Sequence, residues 1–102
     1  MPNLTFIGQY AFNGSRITNI TDLGSITSVP DMCFNNCDSL TTVTLPNSCT
    51  NINGGAFAYC DALTSVDLGG TTTIGNQAFI GDSSLTTVTG TSNLTSIGNN
   101  AF

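Results

Sequence analysis

The sequence predicts a repeat solenoid of short stacked coils, β-rich, with one parallel β-sheet face, short turns or 3₁₀ pieces opposite, and little α-helix. Three observations predict it. Phe12, Phe34, Phe57, Phe79 and Phe102 recur at spacings of 22, 23, 22 and 23 residues. Five residues before each Phe stands a β-branched aliphatic residue: Ile7, Val29, Ile52, Ile74 and Ile97. One residue before each Phe is small: Ala11, Cys33, Ala56, Ala78 and Ala101. Self-similarity at a fixed period of 20–50 residues is the mark of repeat architectures. The 102 residues therefore form a single array, with approximate repeats 4–25, 26–48, 49–70 and 71–92 and a partial copy 93–102.

The strand of each coil follows Phe. An apolar series reads Ile17/Ile20/Leu23, Leu40/Val43/Leu45, Leu63/Val66/Leu68 and Leu85/Val88, the last ended by Gly90. Strand alternation points Val43 and Leu45 inward and Thr42 and Thr44 outward. The segment from the β-branched residue to Phe, as in IGNQAF, then turns the chain. One such coil cannot bury its Leu, Val and Phe faces. Stacking copies about 4.8 Å apart pairs the strands and aligns each column, so the five Phe residues form an internal spine.

Two irregularities carry expectations. Gly8, Gly75 and Gly98 follow the β-branched residue, where a turn with positive φ is expected. Asn53 tolerates that geometry and Pro30 does not, so the second copy is expected to turn differently. Ile17 lies five residues after Phe12 where later copies use six, and Leu23 lies three after Ile20 where later copies use two. A bulge or shifted strand is expected between Ile20 and Leu23.

Segments such as IGNQAFIGDSSLTTVT and INGGAFAYCDALTSVDL resemble the BspA-like (Treponema pallidum type) leucine-rich repeats, with the running pattern I-G-x-x-A-F-x-x-C-x-x-L-x-x-V-x-L-P. The resemblance covers nearly the whole chain. Pro30 and Asn53 depart from it at the Gly position, Ser15 and Asp82 at the Cys position, and Gly90 at the final apolar position. The resemblance implies a right-handed leucine-rich-repeat coil. It also implies an extracellular or cell-surface setting, with adhesion or host binding.

Charge excludes some functions. The net charge is -5, from six Asp against the single cation Arg16, with no Lys, Glu or His. A nucleic-acid binder needs cations to displace counterions, so no nucleic-acid partner is expected. No apolar run is long enough to span a bilayer, so no membrane insertion is expected. The start of the chain lacks the basic and apolar regions of a secretory signal. General acid–base work would fall to Asp or Tyr alone, so no enzyme, catalytic residue or cofactor is expected.

Four cysteines invite a zinc reading. Cys37 and Cys60 share one phase, Cys33 stands with the alanines, and Cys49 aligns with Ile26 and Leu94, so the four point from three columns. Buried thiols are expected and no metal site. The alternative pairing is a Cys37–Cys60 disulfide between neighbouring coils. Asp38 and Asp61 also share a phase, and a calcium site is weighed there against the simpler role of capping turns. Capping is favoured.

The outward strand face reads Asn19/Thr21, Thr42/Thr44, Ser65/Asp67 and Thr87/Thr89, and is the candidate binding face. Its threonines also suit a solvated sheet. Asp67 interrupts the array, which argues against ice binding. Tyr10 and Tyr59 lie on the turn side between repeat phases, where the alternatives are anchoring a partner and simple packing. Sequons at Asn3, Asn13, Asn19 and Asn93 matter only in a eukaryotic secretory route.

Neither end carries a polar cap, and open strand edges template further pairing. Membership of a longer array is expected, with end-to-end stacking of copies as the alternative. The functional expectation is a scaffold presenting a protein- or glycan-binding surface. The alternative is a structural unit of a fibre, envelope or virion that self-associates through its ends.

Overall fold

The computed structural model describes residues 3–102. Eight strands of two or three residues follow one another: β1 (Asn19–Ile20), β2 (Ser28–Val29), β3 (Thr42–Thr44), β4 (Asn51–Ile52), β5 (Ser65–Asp67), β6 (Thr73–Ile74), β7 (Thr87–Thr89) and β8 (Ser96–Ile97). The odd strands pair in parallel in the order β1-β3-β5-β7, and the even strands form a second parallel sheet, β2-β4-β6-β8. No helix occurs among the described residues. The chain is a parallel β-solenoid.

The second sheet is the main addition to the expected architecture. It runs through the β-branched column, where the sequence suggested only a turn. Val29, Ile52, Ile74 and Ile97 come into register there, as do the residues before them, Ser28, Asn51, Thr73 and Ser96. In the first sheet Asn19, Thr42, Ser65 and Thr87 form one column and Ile20, Val43, Val66 and Val88 the next. β-branched side chains fit a pleated surface packed on one side. The two inward columns, with the leucines, enclose one core from Ile7 to Ala101.

The five Phe rings stack through that core. Successive centroids are 5.2, 5.2, 5.3 and 5.1 Å apart, with planes within 6° of parallel. These separations lie within the roughly 4.5–7 Å of favourable aromatic pairs. Phe34, Phe57 and Phe79 are buried, and Phe102, in the last coil, is 56% exposed. A backbone bond joins each ring to the next coil: the Phe34 N–H donates to the Ala56 carbonyl at 2.7 Å and the Phe57 N–H to the Ala78 carbonyl at 2.8 Å. Only a small side chain fits the column that carries those carbonyls, and Cys33, Ala56 and Ala78 are each fully buried.

The turn geometry corrects the glycine expectation. Left-handed φ falls two residues after the Gly8/Gly75/Gly98 column, at Tyr10, Met32, Gly55, Gln77 and Asn100, and again at Gly14, Asn36, Tyr59 and Gly81. Pro30 therefore needs no different turn, and Met32 has a φ of 57° like its counterparts. Close stacking favours glycine at Gly75 and Gly98, whereas a Cβ on Gly8 would meet open space. A Cβ on Gly75 would lie 2.7 Å from the Gly54 nitrogen, and one on Gly98 would lie 2.7 Å from the Gly75 carbonyl carbon. The N–H groups of Asn53, Gly75 and Gly98 donate to Val29, Ile52 and Ile74 of the coil before. Pro30 lacks an N–H and forgoes that bond.

The irregular first coil behaves as expected. β1 stops at Ile20, whereas β3 runs on to Thr44. Thr21 and Asp22 are exposed and absorb the extra residue, and Leu23 returns to the core at 1% exposure. The Asp22 carboxylate fixes this detour by accepting the Gly24 N–H at 3.0 Å.

Candidate binding faces

On the first sheet, seven of the eight sequence-selected residues lie on strands. Asn19, Thr42, Ser65 and Thr87 form one outward column, and Thr44, Asp67 and Thr89 form a second. Thr21 falls outside the ladder because β1 ends before it. The first column is hydrogen-bonded at its Asn19 end. Thr42 Oγ1 donates to Asn19 Oδ1 at 2.6 Å, and Thr41 Oγ1 reaches the same oxygen at 3.2 Å. Asp67 Oδ1 accepts the Gly69 N–H at 3.0 Å, so the one carboxylate of this face is held in place.

A set of threonines one residue earlier passed unremarked in the sequence, although it recurs at 22–23 residues. Thr41 Oγ1 donates to the Thr18 carbonyl at 3.0 Å, Thr64 to Thr41 at 3.1 Å and Thr86 to Thr64 at 3.4 Å. The second sheet repeats the arrangement. Thr50 Oγ1 donates to the Thr27 carbonyl at 3.4 Å, Thr72 to Thr50 at 3.1 Å and Thr95 to Thr72 at 3.1 Å. Each hydroxyl satisfies a carbonyl of the coil below, so these side chains are spent on cohesion as well as solubility.

All four cysteines are free and buried. The alternative Cys37–Cys60 disulfide is not formed. Cys37 Sγ donates to the Phe12 carbonyl at 3.1 Å and Cys60 Sγ to the Phe34 carbonyl at 3.2 Å, so each thiol bonds back to the preceding coil. Burial pushes the Cys33 and Cys49 thiols up to about 11. The neighbouring Cys37 thiol, then burial, pushes Cys60 further up, and the same pairing lowers Cys37. The raised, buried thiols of Cys33, Cys49 and Cys60 are poor nucleophiles and poor metal ligands. Among the described residues no group of His, Cys, Asp or Glu is arranged to hold a metal ion.

The carboxylates depart from expectation. Asp38 and Asp61 are exposed, and neither makes a side-chain hydrogen bond among the described residues. The turn-capping role assigned to them belongs to Asp22 and Asp67. Asp82, standing at the Cys position, is the perturbed group. Its Oδ1 accepts the Cys60 N–H at 2.8 Å, and its Oδ2 is buried without a partner among the described residues. Burial first, then the charge of Asp61, pushes its carboxyl up to about 7 against the Cys60 hydrogen bond.

Tyr10 and Tyr59 are half exposed on the turn side, and the Tyr59 ring lies across Gly81. A cavity of about 240 Å³ lies at the last coil between Phe79, Asp82, Leu85, Val88 and Phe102. A smaller one of about 140 Å³ borders the first-coil detour at Asn19, Thr21 and Asp22.

A family model described as a BspA type leucine rich repeat region matches residues 1–102, in six copies. Among solved structures, the chain is similar to a leucine-rich repeat protein from Bacteroides ovatus ATCC 8483. The TM-score is 0.70 at 25% identity over 94% of this chain. The chain spans 31% of that protein's length. No curated protein is significantly similar in sequence.

Proposed function

The chain belongs to the BspA-type leucine-rich repeat family, and from that premise we propose that it is a non-enzymatic scaffold at a cell surface whose first-sheet face binds a protein or glycan in adhesion or host interaction. The observation that carries this is the in-register outward array of Asn19, Thr42, Ser65 and Thr87 beside Thr44, Asp67 and Thr89. Side chains already held by hydrogen bonds, such as Thr42 and Asp67, lose little freedom on binding. Repeat ladders give a broad surface of this kind without a pocket.

Binding of the immobilised chain to arrays of purified matrix glycoproteins and printed glycans tests the proposal. The expected result is saturable binding that Thr42→Lys with Ser65→Lys abolishes while the melting temperature is retained. Binding that both substitutions leave intact would contradict it.

Self-association through the ends is the second reading. It rests on the apolar residues Phe79, Leu85, Val88 and Phe102 that line the 240 Å³ cavity. Light scattering over a concentration series distinguishes the two. A mass that stays at 10.5 kDa rejects stacking, and growth with concentration supports it.

A further inference from the structure

We infer that the outer face of the second sheet is a binding face for a neutral, extended, β-linked polysaccharide lying along the stack. This goes beyond the first-sheet proposal and does not depend on it. The face consists of two adjacent columns, Thr27/Thr50/Thr72/Thr95 and Ser28/Asn51/Thr73/Ser96, each with one residue per coil.

Charge is the first argument. All six Asp and the one Arg of the chain lie outside these eight positions, although the chain as a whole carries a charge of -5. A cationic or anionic ligand finds no counter-charge here. A neutral polar one meets no ion that must be desolvated.

Hydrogen-bond polarity is the second. A carbonyl oxygen carries no proton, so Thr50, Thr72 and Thr95 are necessarily the donors in their bonds to Thr27, Thr50 and Thr72 of the coil below. Thr73 likewise directs its hydroxyl proton to Asn51 Oδ1. The protons of four hydroxyls are thus turned along the stack, and their remaining lone pairs face solvent. The surface thus offers acceptors at these four positions, while the hydroxyls of Thr27, Ser28 and Ser96 and the Asn51 amide nitrogen are its free donors. Such a surface matches a ligand rich in hydroxyls, which both donate and accept. Because the rotors of Thr50, Thr72 and Thr95 are already fixed by the backbone below, they lose little side-chain entropy when the ligand arrives.

Spacing is the third. Parallel strands repeat every ~4.8 Å, comparable with one sugar unit of an extended β-linked chain. Each coil therefore offers its pair of polar side chains to one sugar. The first sheet has related columns but is interrupted by Asp67, whose carboxylate stands in the Thr44/Thr89 column.

Retention on microcrystalline cellulose, compared with acidic pectate and cationic chitosan, tests the inference. Wild-type chain is expected on cellulose and not on pectate or chitosan. Asn51→Lys with Thr73→Lys is expected to cut retention at least tenfold with an unchanged circular dichroism spectrum and melting temperature. Thr42→Lys with Ser65→Lys, on the first sheet, is expected to leave it unchanged, which separates this outcome from that of the proposed function. Should the second-sheet variant unfold, Ser28→Lys with Ser96→Lys, at the outermost coils, provides the same test. The inference is overturned by absence of retention on cellulose, by preference for either charged polymer, or by retention indifferent to the second-sheet variants. It is equally overturned by concentration-dependent self-association that those variants abolish, since a second copy would then be the occupant.

Discussion

The Cys60 backbone N–H donates to Asp82 Oδ1 at 2.8 Å while the other carboxylate oxygen of Asp82 is buried without a partner among the described residues. One oxygen is satisfied and the other is not, which favours the neutral acid. The carboxyl is pushed up to about 7 from an ordinary 3.8. Between those values the folded chain holds a proton that the unfolded chain has released, so stability falls as pH rises through this window. Melting temperature is expected to decline from pH 4 to pH 7 and level off above. Asp82→Asn, which keeps an acceptor for Cys60, is expected to flatten that decline. A slope unchanged by the substitution would assign the pH dependence elsewhere.

The Phe spine is expected to be strongest at its middle. Phe57 is fully buried between Phe34 and Phe79, with centroids at 5.2 and 5.3 Å. Phe57→Ala is expected to cost about 3–5 kcal/mol, the range for deleting a buried ring. Phe102→Ala, at a ring 56% exposed, is expected to cost under about 1 kcal/mol. Urea denaturation of the two variants measures the difference.

Much of the interior was legible because a column repeated five times averages out local noise. The Phe, small-residue and Leu/Val columns all fill the positions their phases indicated. The second sheet was not, because two-residue strands such as Ser28–Val29 are too short to show alternation. The left-handed column was hidden because Tyr10, Met32, Gln77 and Asn100 occupy it, with glycine only at Gly55. Gly75 and Gly98 answer to the distance between coils, which no single repeat reveals. The binding face was legible as a face. The hydrogen bonds that orient it, such as Thr42 to Asn19, depend on pairing between coils.

Thr71 is a defect that substitution is expected to repair. It stands in the column of Ile26, Cys49 and Leu94, is fully buried, and its hydroxyl has no partner among the described residues. An unsatisfied buried hydroxyl costs about 1–3 kcal/mol. Thr71→Val, similar in shape, is expected to raise stability by about 1 kcal/mol, read as a higher urea midpoint with the same m-value.

The two turn positions two residues apart are expected to respond in opposite ways. Gly75→Ala places a Cβ 2.7 Å from the Gly54 nitrogen, so coils must separate and the melting temperature is expected to fall. Gln77 is exposed with a φ of 61°. Gln77→Gly relieves a left-handed backbone that costs a side chain about 1–2 kcal/mol, less the entropy glycine loses on folding. A small rise in melting temperature is expected.

All four thiols are expected to be silent in the native state. Burial shields all four, including Cys37, whose pKa is lowered, so a thiol reagent at pH 8 is expected to label none in the folded chain. In denaturant it is expected to label all four. Two labelled thiols in denaturant would reveal a disulfide.

That silence permits the most direct test of the first-sheet face. Thr44→Cys, exposed on β3, and Asp31→Cys, exposed on a turn, each add one accessible thiol to which a bulky maleimide can be attached. Binding of each labelled chain to the ligand identified on the arrays is then measured. The account predicts that the label at position 44 abolishes binding and the label at position 31 leaves it intact. Full binding with position 44 blocked would contradict it.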